Sequence, residues 1–344
     1  MRATYKKHVL NFKRPSGTSR GVLTTKETWF IKIEEDDQVG LGECGILRGL
    51  SIDDRPDYEE TLKWACENIT LGKDELWKQL VTFPSIQFGL EMAFQSLKSE
   101  NNFELFPSAF TRGEDSIAIN GLIWMGEKDF MKSQIEDKLK SGFNCIKMKI
   151  GAIDFETEME LLKYIRSQYS SKEIELRVDA NGAFSPQTTL EKLKRLSELE
   201  LHSIEQPIKQ GNWDEMATLC EKTPLAIALD EELIGVVTET EKKKLLQSIQ
   251  PQYLIFKPSL IGGFKGTQQW IELAELNNIG WWNTSALESN IGLNAISQFT
   301  YQKEVSIPQG LGTGSLYTNN IESPLLVKDG KISYDPDLNW DFKF

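Results

Sequence analysis

Histidine is scarce in this chain of 344 residues, which contains only His8 and His202. Two histidines cannot form a three-histidine zinc site. Both lie in runs whose pattern predicts β-strands, which argues against a Ser-His-Asp triad. Acid and base chemistry in this protein must therefore come from carboxylates and lysines.

Cysteine is also rare, and the four cysteines, Cys44, Cys66, Cys145 and Cys220, form no CxxC pair. Their spacing indicates neither a zinc knuckle nor a disulfide framework. We expect buried thiols instead.

Long apolar runs are absent, because no window approaches the roughly 18 apolar residues of a membrane span. Residues 1–20 are polar and basic, unlike a secretion signal. The sequence thus predicts a cytoplasmic protein without a membrane partner. Its formal charge of −12 argues against broad affinity for nucleic acid, but a small, positively lined pocket could still hold an acidic small molecule.

The N-terminal third has the pattern of a compact α+β module. Residues 5–10 and 28–34 alternate like the strands of a hairpin, and residues 58–69, 73–80 and 85–99 show helical periodicity. The glycine-rich segment Gly40–Gly45 lacks the spacing of a phosphate-binding motif and predicts a flexible loop, which forms part of a lid over residues Gly40–Ser51. We expect a capping domain over residues 1–114, to which residues 315–344 return.

From residue 117 onward the pattern changes to strands that alternate with helices, at about 25 to 30 residues per unit. This repeat predicts a modified (β/α) TIM-type barrel over residues 115–314. A doubly wound sheet is the alternative, but the sequence lacks its glycine-rich first turn. The turn at Lys328–Lys331 predicts a closing hairpin in the tail.

Five consecutive predicted strands end in charged residues. Lys147 and Lys149 lie two residues apart, so a strand places both side chains on one face, although an edge strand with solvated lysines would do the same. The next four strands end in Asp179 with Asn181, Glu205, Asp230 with Glu231, and Lys257. Because the carboxyl ends of barrel strands converge, these groups should share one site.

The three carboxylates Asp179, Glu205 and Asp230 need a cation to lie close together. An oxygen-only ligand set predicts Mg²⁺, with Mn²⁺ as a substitute, and leaves part of the coordination shell open for substrate. A flanking lysine whose pKa is lowered by the metal and a second ammonium group could remove a proton beside a carboxylate.

The motifs Lys147-Met148-Lys149, Asp179-Ala180-Asn181, Glu205-Gln206-Pro207, Asp230-Glu231 and Lys257-Pro258-Ser259 resemble the enolase superfamily, muconate-lactonizing subgroup. Within it, the chain most resembles the o-succinylbenzoate synthase family. The resemblance implies a Mg²⁺-dependent lyase of menaquinone biosynthesis. Such an enzyme converts 2-succinyl-6-hydroxy-2,4-cyclohexadiene-1-carboxylate to 2-succinylbenzoate by syn dehydration through an enolate.

The resemblance also implies the residue roles. Asp179, Glu205 and Asp230 would bind the metal, with Asn181 and Glu231 behind them. Lys149 would remove the proton and then protonate the leaving hydroxyl, while Lys257 would stabilise the enolate. Lys147 would tune Lys149 and contact the substrate carboxylate.

Two loops are candidates for binding the substrate. The segment Ser285-Ala286-Leu287-Glu288-Ser289 resembles the family segment whose backbone binds the succinyl tail, but Ser285 and Glu288 could equally cap a helix. The uncharged loop that begins at Gly310 suits a succinyl carboxylate better than the ammonium group held by dipeptide epimerases.

Two alternatives to this function stay open at this stage. One is an N-acylamino acid racemase or dipeptide epimerase that uses the same pair of lysines. The other is an inactive barrel that acts as a binding protein, which the presence of all three carboxylates and Lys149 disfavours.

Overall fold

The computed structural model describes residues 1–18 and 21–344 and opens with an antiparallel sheet in the order β1-β2-β3. Its strands are β1 (Arg2–Thr18), β2 (Gly21–Glu35) and β3 (Gln38–Gly45). Alternate residues of β2, Trp29, Ile31 and Ile33, are buried in one core with α1 (Tyr58–Glu67), α2 (Lys73–Gln79) and α3 (Pro84–Ser96). The predicted hairpin and the three predicted helices are confirmed.

The prediction of a flexible loop is wrong for Gly40–Gly45, because these residues lie in the buried strand β3, whereas the rest of the predicted lid, residues 46–51, follows this strand as a loop. A Cβ at Gly40 would stand 2.1 Å from the carbonyl oxygen of Ala93, and one at Gly42 would stand 2.0 Å from that of Gly89. Glycine is therefore needed here so that the backbones of β3 and α3 can approach each other.

The second part of the chain alternates strands and helices. Its strands are β4 (Ser116–Ala118), β5 (Gly121–Ile123), β6 (Cys145–Lys149), β7 (Glu175–Asp179), β8 (Ser203–Glu205), β9 (Ile227–Leu229), β10 (Tyr253–Phe256) and β11 (Gly280–Asn283). Its helices are α4 (Lys128–Lys140), α5 (Phe155–Gln168), α6 (Pro186–Ser197), α7 (Trp213–Lys222), α8 (Glu239–Ile249), α9 (Gly263–Leu276) and α10 (Asn290–Tyr301). Short 3₁₀ turns occupy Ile69–Leu71, Glu231–Leu233 and Pro258–Leu260.

Strands β5 to β11 form one parallel sheet of seven strands in sequential order. Single parallel bridges join Ile119 to Gln309 and Thr284 to Gly310, so residues 309–310 lie between the two edges of the sheet. A doubly wound sheet would reverse its strand order, and this sheet does not. The predicted modified TIM-type barrel is confirmed.

Strand β6 lies between β5 and β7, and all five of its residues are buried. The alternative of an edge strand with solvated lysines is therefore wrong. Ile146 and Met148 join the large apolar core that the sheet shares with its helices. The period of two then directs Lys147 and Lys149 to the inside of the barrel.

The tail forms the predicted hairpin from β12 (Leu325–Lys328) and β13 (Lys331–Tyr334). Its turn residues Asp329 and Gly330 both have positive φ, 50° and 68°, as hairpin turns of type I′ require. Strand β13 pairs with β4, so β4 belongs to the sheet of the tail, whereas β5 belongs to the parallel sheet of the barrel. Beyond the hairpin, Phe342 packs against Phe30 of β2 with 4.9 Å between ring centroids. The domain boundaries after residues 114 and 314 stay a prediction.

None of the helices within residues 1–18 and 21–344 combines the length and the apolar character needed to span a bilayer.

Candidate active site

The strand register places three of the predicted site residues in one row across the barrel. Lys149 of β6 pairs with Asp179 of β7, and Asp179 pairs with Glu205 of β8. Lys147 lies two residues earlier on β6, on the same face. The two residues that follow this row closely, Asn181 and Gln206, have positive φ of 43° and 39°. Such left-handed conformations are uncommon for non-glycine residues and often occur at functional sites.

Each lysine of this site is paired with a carboxylate. The Nζ of Lys149 lies 2.7 Å from Oδ2 of Asp179, and Nζ of Lys147 lies 2.6 Å from Oε2 of Glu205. Lys257, which follows β10, pairs with Asp230. Because β6 and β10 are separated by three strands of a curled sheet, Lys149 and Lys257 reach the cavity from opposite sides.

Asn181 connects the row of Lys149, Asp179 and Glu205 to Glu231, which follows β9. Its side-chain oxygen accepts a hydrogen bond from Nζ of Lys149 at 2.7 Å, and its Nδ2 donates to Oε1 of Glu231 at 3.0 Å. The amide of Asn181 is therefore held between the lysine and a carboxylate that follows Asp230. This places Asn181 and Glu231 where they can orient the charged groups in front of them.

The pKa values follow from burial and from these ion pairs. Burial alone would lower the pKa of Lys147, but Glu205 and Asp179 raise it well above its ordinary value. Burial would likewise lower the pKa of Lys257, which Asp230 raises instead. For both lysines the carboxylate partners outweigh the effect of burial.

The three carboxylates respond differently to the same surroundings. Burial raises the pKa of Asp179, but Lys149 and Lys147 overcome it and hold that pKa well below its usual range. Burial would also raise the pKa of Asp230, and Lys257 lowers it. For Glu205, burial and the nearby Asp179 together raise the pKa well above its ordinary value. Of the three carboxylates, Glu205 is therefore the one whose ionised form these surroundings disfavour.

The carboxylates fit a divalent cation by their chemistry. Among the residues that the structure describes, no three Asp, Glu, His or Cys side chains are grouped as ligands of one ion. The oxygens of Asp179, Glu205 and Asp230 contact lysine ammonium groups instead. However, Oε1 of Glu205 is buried and has no hydrogen-bond partner among the described residues. A buried carboxylate oxygen without a donor is costly, and a cation shared with Asp179 and Asp230 would satisfy it.

One cavity, open to solvent, collects the predicted residues. Its walls include all but one of the predicted catalytic, metal-binding and substrate-binding residues, namely Lys147, Lys149, Asp179, Asn181, Glu205, Lys257, Ser285, Ala286 and Gly310. The remaining one, Asp230, is joined to the cavity through its ion pair with Lys257.

The interpretation of Ser285 as a helix cap is wrong. Helix α10 begins at Asn290, and its N-cap is Ser289, whose hydroxyl accepts a hydrogen bond from the backbone N–H of Ile291. The Ser285 hydroxyl lies 2.6 Å from that of Thr313, which also lines the cavity. The side chain of Ser285 therefore joins the two loops that were predicted to bind substrate.

Comparison with known proteins places this site in a family. Residues 131–336 match the family model described as "Enolase C-terminal domain-like", and residues 12–97 match "MenC, N-terminal domain". The chain is 48% identical to the o-succinylbenzoate synthase of Desulfotalea psychrophila, over 96% of this chain and 98% of that protein. The crystal structure of MenC from D. psychrophila superposes with a TM-score of 0.86 at 45% identity, covering 97% of this chain and 99% of that one. A more distant relative is the L-Ala-D/L-Glu epimerase of Bacillus subtilis, 23% identical over 93% of this chain and 88% of that protein.

The chain belongs to the enolase superfamily. Within the superfamily it groups with the o-succinylbenzoate synthases, as the resemblance of the chain predicted. Members of the enolase superfamily depend on a divalent metal, which agrees with the crowding of carboxylates around Glu205.

Several cavity residues of this superfamily member were not predicted from its sequence. They include Leu23 of β2, Trp124 after β5 and Lys138 of α4, whereas Leu47 and Leu50 lie in the segment Gly40–Ser51 that was predicted as the lid. Nζ of Lys149 lies 5.9 Å from the centroid of the Trp124 ring. Arg48, by contrast, is half exposed and pairs with Glu27 and Asp54. No local signal marks Leu23, because it becomes a cavity residue only when the N-terminal sheet meets the barrel.

Proposed function

We propose that this protein is an o-succinylbenzoate synthase of menaquinone biosynthesis. Its substrate is 2-succinyl-6-hydroxy-2,4-cyclohexadiene-1-carboxylate, and its products are 2-succinylbenzoate and water. The observation that carries the proposal is 48% identity to an o-succinylbenzoate synthase over nearly the full length of both chains. The cavity with two lysines on opposite sides and buried carboxylates between them supports it.

Asp179, Glu205 and Asp230 would hold Mg²⁺ in this proposal, with Mn²⁺ as a substitute. The bound ion supplies positive charge that stabilises the substrate carboxylate as the neighbouring proton leaves. Lys147, which contacts Glu205 and Asp179, would add a second positive charge beside the substrate carboxylate.

Lys149 is the proposed base. Its neutral amine takes the proton from the ring carbon beside the carboxylate and becomes an ammonium group. The same ammonium group then donates that proton to the hydroxyl as the C–O bond breaks, so water leaves from the same face and the ring becomes aromatic. The side chain of Asn181, 2.7 Å from Nζ, holds the amine in place.

Lys257 reaches the opposite side of the cavity and carries a positive charge that stabilises the enolate between the two steps. Its ion pair with Asp230 holds the ammonium group on that side of the cavity, which suits a stabilising cation. Lys149 and Lys257 would also suit a racemase or epimerase, which needs an acid and a base on opposite faces. The segment 310–314 carries no aspartate to hold a substrate ammonium group, which disfavours a dipeptide epimerase.

An activity assay tests the proposal. The protein is incubated with Mg²⁺ and freshly prepared cyclohexadiene substrate, and separately with each member of a panel of N-acylamino acids and dipeptides. We expect the aromatic product to form rapidly, and its ultraviolet absorbance measures the rate. Exchange of an α-proton on a panel member without aromatisation would instead assign the racemase or epimerase reaction. No reaction with any compound would favour an inactive binding protein. The cytoplasmic location and the absence of nucleic-acid and membrane partners stay predictions from the sequence.

A further inference from the structure

A buried lysine lies where the N-terminal sheet meets the barrel. Lys26 of β2 is only 4% exposed, and its Nζ has no hydrogen-bond partner among residues 1–18 and 21–344. Three residues before it, Leu23 lines the active-site cavity. A lysine is rarely buried unless another charge balances it, so a carboxylate should lie in its surroundings.

Glycine at the end of β3 makes room for this ammonium group. A Cβ on Gly45 would lie 2.6 Å from Nζ of Lys26 and 3.1 Å from Oγ1 of Thr28. The Thr28 hydroxyl donates to Oε1 of Glu43 at 2.9 Å, and Glu43 also accepts from the backbone at the start of α10. The ammonium group of Lys26 therefore lies on the side of the sheet that faces the barrel.

Glu288 is the carboxylate on this side that lacks a full set of donors. It is fully buried, and Oε1 accepts a hydrogen bond from the hydroxyl of Ser259 at 2.5 Å, whereas Oε2 has no partner among the described residues. A Cβ on Gly292 would lie 2.8 Å from Cγ of Glu288 and 2.9 Å from Oε2 of Glu43, so the two carboxylates are neighbours. Burial raises the pKa of Glu288, and among the groups that oppose this effect the positive charge of Lys26 has the largest influence.

Glu288 connects two segments that line the cavity. Its hydrogen-bond donor Ser259 lies two residues after Lys257, in the short 3₁₀ turn that follows β10. On the other side, Glu288 comes directly after the cavity segment Ser285–Leu287. A change at this carboxylate should therefore move both segments, although Glu288 does not itself line the cavity.

We propose that Lys26 is a positioning residue of the active site, whose buried ammonium group balances the charge of Glu288 and so keeps Lys257 and Ser285–Leu287 in place. The two groups form no hydrogen bond with each other, but opposite charges attract over several ångströms in a buried place. Removing one charge of such a pair is costly, whereas replacing both can be nearly neutral. The inference rests on the proposed function, because it concerns the reaction that Lys257 serves.

A double-mutant cycle tests this role. The variants are Lys26→Met, which keeps the aliphatic chain, Glu288→Gln, which keeps an acceptor for Ser259, and the double variant. The control is Lys6→Met, at an exposed position of β1 in the same sheet. For each protein we would measure the midpoint of urea unfolding. We would also measure kcat and KM for the cyclohexadiene substrate with Mg²⁺, under conditions in which circular dichroism shows an intact fold.

We expect Lys26→Met to lower kcat by about 10-fold or more and to lower the urea midpoint, because Glu288 stays buried without its counter-charge. The double variant should recover most of both losses, and Lys6→Met should match the wild type. A merely structural role for Lys26 would lower the midpoint but leave kcat of the folded protein unchanged, and that result would overturn the inference.

Losses of the two single variants that simply add in the double variant would also overturn it, because independent side chains behave in this way. Neither of these results would affect the proposed function as long as the wild type turns over the substrate. If the wild type does not turn it over, the proposed function is wrong, and the role of Lys26 in that reaction is wrong with it. A recovered urea midpoint in the double variant would then still establish the pairing of Lys26 with Glu288.

Discussion

The carboxylate of Glu43 accepts hydrogen bonds from the backbone N–H of Ser289 at 2.9 Å and from its hydroxyl at 2.5 Å, although the two residues are 246 positions apart. It also accepts from the backbone N–H of Gly292 at 2.8 Å and from the hydroxyl of Thr28 at 2.9 Å. Glu43 lies in β3 and is fully buried. This one side chain therefore ties the N-terminal sheet to the start of α10, directly after the cavity segment Ser285–Leu287.

Replacing Glu43 by alanine should weaken both the fold and substrate binding. Two backbone N–H groups at the start of α10 would lose their acceptor in a buried place, so we expect the free energy of unfolding to fall by about 2–4 kcal/mol. The segment Ser285–Leu287 should become less well placed, which raises KM. Urea unfolding and steady-state kinetics measure the two effects. Glu100→Ala, at an exposed loop position, is the control. An unchanged stability for Glu43→Ala would contradict this account.

Replacing Lys149 by alanine should leave the fold intact and reduce turnover by about a thousand-fold or more, because the proposed base is removed. Asp179 keeps a contact with Lys147 at 3.5 Å, so its charge is not left without a partner. Circular dichroism checks the fold, and aromatisation of the cyclohexadiene substrate checks turnover. The exposed Lys140→Ala serves as the matched control. Substantial remaining dehydration would show that another group is the base.

The spacing of charges along the chain was sufficient to predict the centre of the site. Lys147 and Lys149, two residues apart in an apolar run, had to share a face of any strand. The charged ends of four following strands had to meet at one mouth once a barrel was inferred. The structure adds the register, which sets Lys149, Asp179 and Glu205 in one row.

The walls of the cavity could not be predicted in the same way. Leu23 of β2 lines it because the N-terminal sheet packs against the segments that hold Leu287 and Leu316, a contact between residues far apart in sequence. The error at Gly40–Gly45 has a related origin. Glycines were interpreted as flexibility, whereas here they serve the close approach of α3, which the local sequence does not reveal.

Removing divalent metal should abolish turnover, and Mg²⁺ should restore it. Mg²⁺ should also stabilise the fold, by about 2.7 kcal/mol at a concentration 100-fold above its dissociation constant, because binding relieves the repulsion around Glu205. Thermal unfolding with and without Mg²⁺ measures this effect independently of activity. Glu205→Gln should lose the stabilisation, and Glu221→Gln, at an exposed position of α7, should keep it. Full activity after exhaustive chelation would remove the metal from the mechanism.

We expect Glu91 of α3 to make the stability of the protein depend on pH. Its carboxylate accepts hydrogen bonds from the backbone N–H groups of Phe264 and Lys265 at the start of α9, at 2.5 and 3.3 Å. Burial raises the pKa of Glu91 from 4.5 to about 7, more than these hydrogen bonds lower it. The folded state therefore binds this proton more tightly than the unfolded state does. Its contribution to stability is fully present below pH 4.5 and is lost as the pH rises to about 7.

Glu91→Gln removes the titrating group and keeps an oxygen that can accept from Phe264. The stability of the variant relative to the wild type should then increase by about 2 kcal/mol between pH 5.5 and pH 8, since about 1.5 pH units of this range lie below the folded pKa. Urea unfolding of both proteins at the two pH values measures the difference, with Glu221→Gln as the exposed control. A difference that stays constant with pH would mean that Glu91 is ionised in the folded protein throughout this range. The two backbone N–H groups of α9 would then stabilise its charge more strongly than burial opposes it.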